Sequence, residues 1–237
     1  MSASVSIVIT SFNAGTLIGQ TLESILAQTF QDIEVIVVDG GSTDNTLDIV
    51  SSYNKPVRLI AGQRLNKSAG RNVGIRSAEG QYIAFVDADD LWLPEKLMLQ
   101  VNHLRRFREV LWVYSDCFVF DDQTGQNIST WSSRTRLYAG HILEPLLFDC
   151  IVPSPTPVIH RTVFNKVGLF DESLLRNECE DWDMWLRIAA AFPVGLIARP
   201  LARWRFHPES LTSREDRQVM AEGVISTIKR ALARNDH

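Results

Sequence analysis

Several side chains that could bind a charged ligand follow four apolar stretches within the first ninety residues. They are Thr10, Phe12 and Asn13 after the first stretch, Asp39 at the end of the second, Arg71 and Asn72 after the third, and Asp87, Asp89 and Asp90 after the fourth. Two carboxylates one residue apart, as in Asp87 and Asp89, suit a hard divalent cation such as Mg²⁺ or Mn²⁺. Because such ions also bind phosphates, the set predicts a nucleoside diphosphate site, in which Asp39 accepts from the base and Arg71 meets the base or a phosphate.

The four apolar stretches are the elements that must position these side chains. We predict strands at Val5–Thr10, Glu34–Asp39, Val57–Ala61 and Tyr82–Asp87. Their runs of Val and Ile indicate burial on both faces, which is typical of a parallel sheet. Helical patterns between them favour a doubly wound α/β fold. Ligands bind beyond the carboxyl ends of such strands, where the four polar segments would converge.

The pattern of the sequence changes after Asp90. We predict helices at Pro94–Arg108, Glu180–Phe192 and Arg214–Arg234, a hairpin of Leu111–Phe120 with Gln126–Trp131, and a loop from Pro145 to Pro157. No linker separates the two parts, so we expect one domain over 1–237, with a nucleotide-binding half at 1–90, an acceptor half with a smaller mixed sheet at 91–213, and a C-terminal helix at 214–237.

Composition and charge exclude several classes of protein. The chain has 237 residues, of which 45% are hydrophobic and 22% charged, as in ordinary globular proteins. Its net charge of −4 disfavours a nucleic-acid partner. Three cysteines that are far apart in the sequence argue against a disulfide framework or a zinc ribbon. The sequence has no apolar run long enough for a membrane span, and its N-terminus does not resemble a signal peptide. It therefore predicts a cytoplasmic protein.

Familiar ligand-binding motifs fail on their spacing. A calcium loop that begins at Asp87 would need glycine where Trp92 stands and glutamate where Met98 stands. A phosphate loop from Gly62 would need glycine in place of Lys67, and no GxGxxG follows the first strand. What remains is a metal-bound nucleoside diphosphate shared by the four strand ends.

The ordered set of motifs resembles the family 2 glycosyltransferases, which have the GT-A fold. The blocks are TSFN (10–13), VDGGSTD (38–44), SAGRNVGI (68–75), FVDADD (85–90), GLFDE (168–172), EDWDMWLR (180–187) and WRFHPES (204–210). They occur in this order and cover most of the chain. The resemblance implies transfer of a single sugar from a nucleotide-diphosphate donor, commonly UDP-linked, with inversion and with Mn²⁺ or Mg²⁺ as cofactor.

The resemblance also implies a role for each site residue. The residues that would bind the donor nucleotide are Thr10, Phe12, Asn13, Asp39, Arg71 and Asn72, with Asp39 reading the base. Asp89 would bind the metal directly, and Asp87 would contact the ribose or reach the metal through water. Asp181 of the ED motif would be the general base that removes the proton from the acceptor hydroxyl.

Four further residues are candidates for accessory roles, and three of them keep two interpretations. Glu180 is the second choice for the base, although acids at the start of a helix also favour its dipole. Trp182 either packs in the core or contacts the acceptor. Arg205 could neutralise the diphosphate. His207 either contacts the metal or diphosphate or is a structural histidine.

The resemblance places the reaction in the synthesis of cell-surface polysaccharide or glycolipid, with a saccharide or a lipid-linked acceptor. The basic C-terminal helix either lies on the inner membrane surface or packs on its own domain or on a second subunit. Two other functions stay open, a sugar-phosphate nucleotidylyltransferase and a nucleotide-sugar-binding protein without catalysis. The former would need a basic loop after the first strand, where the sequence has SFNAGTL.

Overall fold

The computed structural model of the protein describes residues 3–174, 179–207 and 217–235. The strands in these ranges are β1 Val5–Ser11, β2 Ile33–Asp39, β3 Val57–Ala61, β4 Tyr82–Asp87, β5 Leu91–Trp92, β6 Trp112–Asp121, β7 Asn127–Thr130, β8 Val158–His160 and β9 Val194–Phe206. The helices are α1 Ile18–Leu26, α2 Thr46–Ser51, α3 Lys67–Ser77, α4 Lys96–Arg106, α5 Leu143–Phe148, α6 Thr162–Val167, α7 Glu180–Ala191 and α8 Arg217–Asn235. All the strands join one sheet in the order β3-β2-β1-β4-β8-β6-β9-β5, with β7 paired to β6.

The first half of the chain confirms the predicted parallel α/β sheet. Strand β1 pairs in parallel with both β2 and β4, and β2 pairs in parallel with β3. The register sets Thr10 beside Asp87 and Ser11 beside Asp39. The carboxyl ends of β1, β2 and β4 therefore meet at one edge, as the sequence pattern predicts.

Two hydrophobic cores cover the two faces of the sheet. One contains Val8, Phe85 and the α7 residue Trp185, and the other contains Ile7, Ile9 and residues of α1 and α4. Consecutive residues of β1 thus alternate between two buried faces. Each such side chain contributes about 1.5–3 kcal/mol of burial free energy, so the apolar strands hold the edge that carries the site.

The second half of the chain combines parallel and antiparallel strand pairs. The predicted hairpin is confirmed, since β6 pairs with β7 in antiparallel register. Strand β6 also pairs in parallel with the long strand β9, which the sequence pattern did not predict because Arg199, Pro200 and Arg203 interrupt its apolar residues. The ladder accommodates these residues by register shifts on either side of Asp116.

The predicted loop from Pro145 to Pro157 is wrong in its first part. Residues Leu143–Phe148 form helix α5, in which Pro145 lies in the first turn. Proline is tolerated there because the first N–H groups of a helix have no intrahelical partner. The short elements β8 and α6 also escaped the sequence analysis.

Helix α8 packs on α7 through a group of charged side chains. Arg234 forms a hydrogen bond to the fully buried carboxylate of Asp183, and its other terminal nitrogen lies 3.3 Å from Asp171. Asp183 also accepts from Arg187 at 3.0 Å. The predicted start of this helix at Arg214 lies outside the described residues. Among the helices that the structure describes, none is long and apolar enough to cross a membrane.

Candidate active site

The site is built at the carboxyl edge of β1, β2 and β4. Helix α3 approaches β1 closely here, because Gly70 faces Thr10. A Cβ at residue 70 would lie only 3.0 Å from the Thr10 Cγ2 atom. The close packing brings the first turns of α3 to the edge where β4 ends at Asp87.

An acidic loop follows β4. Carboxylate oxygens of Asp87, Asp89 and Asp90 all lie within 4.8 Å of one another. Asp90 is buried, and its pKa is raised well above the usual value by burial and by the charges of Asp89 and Asp87. Its Oδ1 accepts the backbone N–H of Arg205 at 2.8 Å, whereas Oδ2 has no hydrogen-bond partner among the residues that the structure describes.

This loop fits a divalent cation by its chemistry. Hard cations prefer several oxygen ligands, which Asp89 and the unpartnered Oδ2 of Asp90 supply. His207 lies beside them, with Nε2 3.1 Å from Oδ2 of Asp89. The structure thus brings together the predicted metal residues and adds Asp90 to them.

Two cations of α3 hold Asp87. Lys67 Nζ lies 2.8 Å from one carboxylate oxygen of Asp87, and Arg71 donates to the other at 3.2 Å. Burial raises the pKa of Asp87, but these two cations outweigh that effect, and the pKa lies below its usual value. Asp87 is therefore ionised, and both of its oxygens already have protein partners.

The same two cations connect the acidic loop to α7. Arg71 donates to Glu180 at 2.8 Å, and Lys67 lies 3.5 Å from that oxygen. Arg71 is only 2% exposed and packs over the rings of Phe85 and Phe170. Ser154, from the proline-rich segment, lies 3.3 Å from the same guanidinium. These contacts fix the start of α7 relative to the acids that follow β4.

Glu180 and Asp181 have different environments although they are adjacent. Glu180 is bound by Arg71 and Lys67, whereas no cation forms an ion pair with Asp181 among the described residues. Burial, followed by the charge of Glu180, raises the pKa of Asp181 above its usual value, and Arg71 and Lys67 oppose this rise. A carboxylate with a raised pKa accepts a proton more readily, which agrees with the predicted role of Asp181 as the base.

The loop after β2 is ordered by its own polar groups. Asp39 is fully buried and accepts from the Ser11 hydroxyl and from the N–H groups of Gly41 and Ser42. Asn13 has a φ of 50° and accepts from the Thr43 N–H at 2.8 Å. These bonds join the β1 and β2 ends, and a base-reading role for Asp39 stays a prediction.

Phe12 and Asn72 lie in opposite surroundings. The ring of Phe12 is 64% exposed, which is unusual for so large an apolar side chain and leaves a face open for a ligand. Asn72 is 1% exposed, and its amide exchanges hydrogen bonds with the backbone of Phe170 and also donates to Glu172. In this structure Asn72 joins α3 to the segment before α7 and presents no group at the surface.

The accessory residues occupy structural positions. Arg205 is 3% exposed, and its guanidinium donates to the backbone oxygen of Asp89, to Asp122 and to Gln20. Each nitrogen of this guanidinium therefore has a protein partner, and the side chain holds the acidic loop in place. Trp182 is 5% exposed and donates to the Leu146 backbone oxygen, which matches the core interpretation.

The sequence analysis missed Lys67 and Ser154 as parts of the site. Lys67 lies one helical turn before Arg71, and this i, i+4 spacing was a usable signal because both side chains must lie on one face of α3. No comparable signal existed for Ser154, which reaches Arg71 across 83 residues of sequence.

The sheet and its acid-rich edge define the class of the protein, a glycosyltransferase of the GT-A type. The sequence model of glycosyl transferase family 2 matches residues 6–166, and the chain belongs to this family. The structure of S. aureus TarS in complex with UDP-GlcNAc shares the fold, with a TM-score of 0.76 and 22% identity over 98% of this chain and 66% of that chain.

Curated relatives are similar over most of this chain. One is the uncharacterized glycosyltransferase RT0329 of Rickettsia typhi, 30% identical over 88% of this chain. Another is the UDP-Glc:alpha-D-GlcNAc-diphosphoundecaprenol beta-1,3-glucosyltransferase WfaP of Escherichia coli, 29% identical over 93% of this chain and 84% of its own length. Against four rickettsial relatives, the chain spans between 32% and 66% of their length.

Proposed function

We propose that the protein transfers a single sugar from a UDP-linked donor to an acceptor hydroxyl, with inversion and with Mn²⁺ or Mg²⁺. One observation carries the proposal. The ion-pair bridge through Arg71 fixes the start of α7, and with it Asp181, relative to the acidic loop at Asp87. A base on one side and a metal-binding loop on the other are the two groups that such a transfer needs.

On the donor side, the chain's residues orient and neutralise the nucleotide. The open ring of Phe12 offers a stacking face for the base, and Thr10 and Asn13 flank the same edge. Asp89 and Asp90 would hold the metal, with His207 beside them, and Asp87 stays with Lys67 and Arg71. When bound, the metal would offset the charge that develops on the leaving diphosphate.

On the acceptor side, Asp181 accepts the proton of the attacking hydroxyl. Its raised pKa makes it more ready to take up a proton than an ordinary aspartate, and such a general base supplies about 10²–10⁴-fold of the rate. Glu180 is held by Arg71, so one base acts from one side of the sugar. A single base with no nucleophilic carboxylate favours inversion at the anomeric carbon.

The relatives support a lipid-linked acceptor. WfaP, and its E. coli counterpart WfgD at 25% identity, are glucosyltransferases for GlcNAc-diphosphoundecaprenol. We extend this acceptor class, together with a role in cell-surface polysaccharide or glycolipid synthesis, to the present protein. We further expect it to work at the cytoplasmic face of the membrane, where α8 could contact the surface.

The test is a thermal-shift panel with UDP, GDP, TDP, CDP and ADP, each with Mn²⁺ and with EDTA. A ligand at 100 times its dissociation constant stabilises by about 2.7 kcal/mol, so one diphosphate should raise the Tm only with Mn²⁺. Asp89→Ala should abolish that shift, whereas the control Asp48→Ala on the exposed face of α2 should keep it. A shift that persists in EDTA or in Asp89→Ala would contradict the metal assignment.

A further inference from the structure

A cavity of about 540 Å³ lies in the second half of the chain, apart from the acidic loop. Its floor is formed by Asp116 of β6 and by Leu196 and Ala198 of β9. Its wall is the segment 132–137, which follows β7. None of these residues takes part in the site described above.

The sheet register places this cavity at the same edge as the acidic loop. Ala84 of β4 lies opposite Val158, and Val158 lies opposite Val113 of β6. Three residues further on, Asp116 stands about level with Asp87, two strands away. Neighbouring strands are about 4.8 Å apart, so the two positions are separated by roughly 10 Å across the sheet.

The cavity also lies on the face of the sheet that α7 covers. Leu137, which lines the cavity, packs against the core cluster that contains Trp182, the residue after Asp181. Tyr138 joins the same cluster and accepts a hydrogen bond from Tyr114 through its backbone oxygen. A molecule in the cavity would therefore share one face and one edge with the proposed base.

Two arginines in the wall have no carboxylate partner in the part of the chain that the structure describes. Arg134 and Arg136 are exposed, and within the described ranges neither forms an ion pair. The nearby carboxylate of Asp116 is buried and accepts from the N–H groups of Cys117 and Ser132 and from the Ser132 hydroxyl. Arg136 is held over the ring of Tyr138, 5.1 Å from its centre.

Unpaired guanidinium groups at the side of a cavity suit a phosphate, because their N–H groups match phosphate oxygens in pairs. We propose that Arg134 and Arg136 bind the phosphate or diphosphate group of the acceptor, so that its sugar hydroxyl extends toward Asp181. This assignment rests on the proposed transferase function and names the residues that recognise the acceptor. The charge of the donor diphosphate would be offset instead by the metal that Asp89 and Asp90 would hold.

The experiment measures binding of decyl diphosphate by calorimetry, once with UDP and Mn²⁺ and once with EDTA. We expect Arg134→Gln/Arg136→Gln to weaken this binding at least tenfold, which corresponds to about 1.4 kcal/mol. The matched control is Arg106→Gln/Arg108→Gln, which has the same spacing and charge change and lies near the opposite edge of the sheet, before β6 begins. Its affinity should stay within twofold of the wild type.

Several results would overturn the assignment. One is an unchanged affinity of Arg134→Gln/Arg136→Gln for decyl diphosphate. Another is an equal loss of that affinity in the control pair. A third is an equal loss of affinity of Arg134→Gln/Arg136→Gln for the uncharged decyl maltoside. If only binding to phosphatidylglycerol vesicles falls, the arginines recognise membrane headgroups and the acceptor assignment is wrong. Failure of the transferase proposal would be seen separately, as absent UDP binding in a wild type that still binds decyl diphosphate in EDTA.

Discussion

The cations at the two ends of the catalytic edge are used in opposite ways. Beside the acidic loop, Lys67 and Arg71 are both bound to carboxylates of the protein. Beside the cavity, Arg134 and Arg136 have no ion pair among the described residues. The paired cations hold two carboxylates of the proposed active site in place, whereas we propose that the open arginines bind a ligand. Substitutions in the first set should therefore alter stability and pH dependence, and those in the second should alter binding alone.

The largest expected effect is on turnover, from the group that the paired cations position. Asp181→Asn should lower kcat about 10²–10⁴-fold, because the amide cannot accept the hydroxyl proton. The Kd for UDP with Mn²⁺ should stay within twofold, since the proposed function assigns Asp181 to the acceptor side. Steady-state kinetics and calorimetry measure the two quantities.

Asp149→Asn is the control for this change, since it removes an exposed acid from the same half of the chain. It should keep full turnover. A loss of UDP binding in Asp181→Asn would place this residue on the donor side instead.

Arg71→Met should have the largest effect on stability. It removes the cation shared by Asp87 and Glu180, and breaking a buried ion pair costs about 3–5 kcal/mol. At about 2–4 °C per kcal/mol for a chain of this size, the Tm should fall by roughly 10 °C. Differential scanning calorimetry measures the change.

The control for Arg71→Met is Arg76→Met on the same helix. Arg76 is 59% exposed and lies 3.8 Å from Glu172, and such surface pairs are worth about 0–1 kcal/mol. Equal destabilisation by the two variants would show that the buried bridge has no special role.

Glu180→Gln should shift the pH dependence. The Glu180 charge raises the pKa of Asp181, so its removal lowers that pKa. Asp181 acts in its ionised form, and the acidic limb of kcat/KM should therefore move to lower pH. Lys67→Met should move the limb to higher pH, because Lys67 opposes the rise. An acidic limb that stays at the same pH in both variants would exclude Asp181 as the titrating base. The control for the change of charge is Glu144→Gln on α5, which should leave the limb in place.

The smallest expected effect is the change in protein stability when the open arginines are replaced. Arg134→Gln/Arg136→Gln should change the free energy of unfolding by less than about 0.5 kcal/mol, as is usual for surface positions without partners. Urea denaturation measures this quantity. A loss of several kcal/mol would mean that these arginines are structural, and the comparison with Lys67 and Arg71 would fail.

The sequence predicted the parallel half of the fold and most residues of the edge, for identifiable physical reasons. Strands buried on both faces have a distinctive apolar pattern, and their carboxyl ends must meet. Strand β9 was missed because Arg199, Pro200 and Arg203 interrupt its apolar residues. Similarly, the bridge through Arg71 depends on contacts across 109 residues, and no local pattern reports such a distance.

Buried polar residues were the other source of difficulty. Asn72 and Arg205 carry polar groups that suit a ligand, and the family motifs contain them. The structure gives both residues a full set of protein partners. Residue type and spacing identify where polar groups gather, but they do not reveal which groups are already satisfied.

Strand β9 has a consequence for the order in which the protein matures. It supplies Arg205, which supports the acidic loop from 115 residues further along the chain, and it ends beside His207. During synthesis, the acids at 87–90 leave the ribosome long before this support exists. Contacts so distant in sequence form slowly, because the loop between them must close first. The parallel half of the sheet can thus form before β9 is available, whereas the contacts of Arg205 with the acidic loop have to wait for that strand.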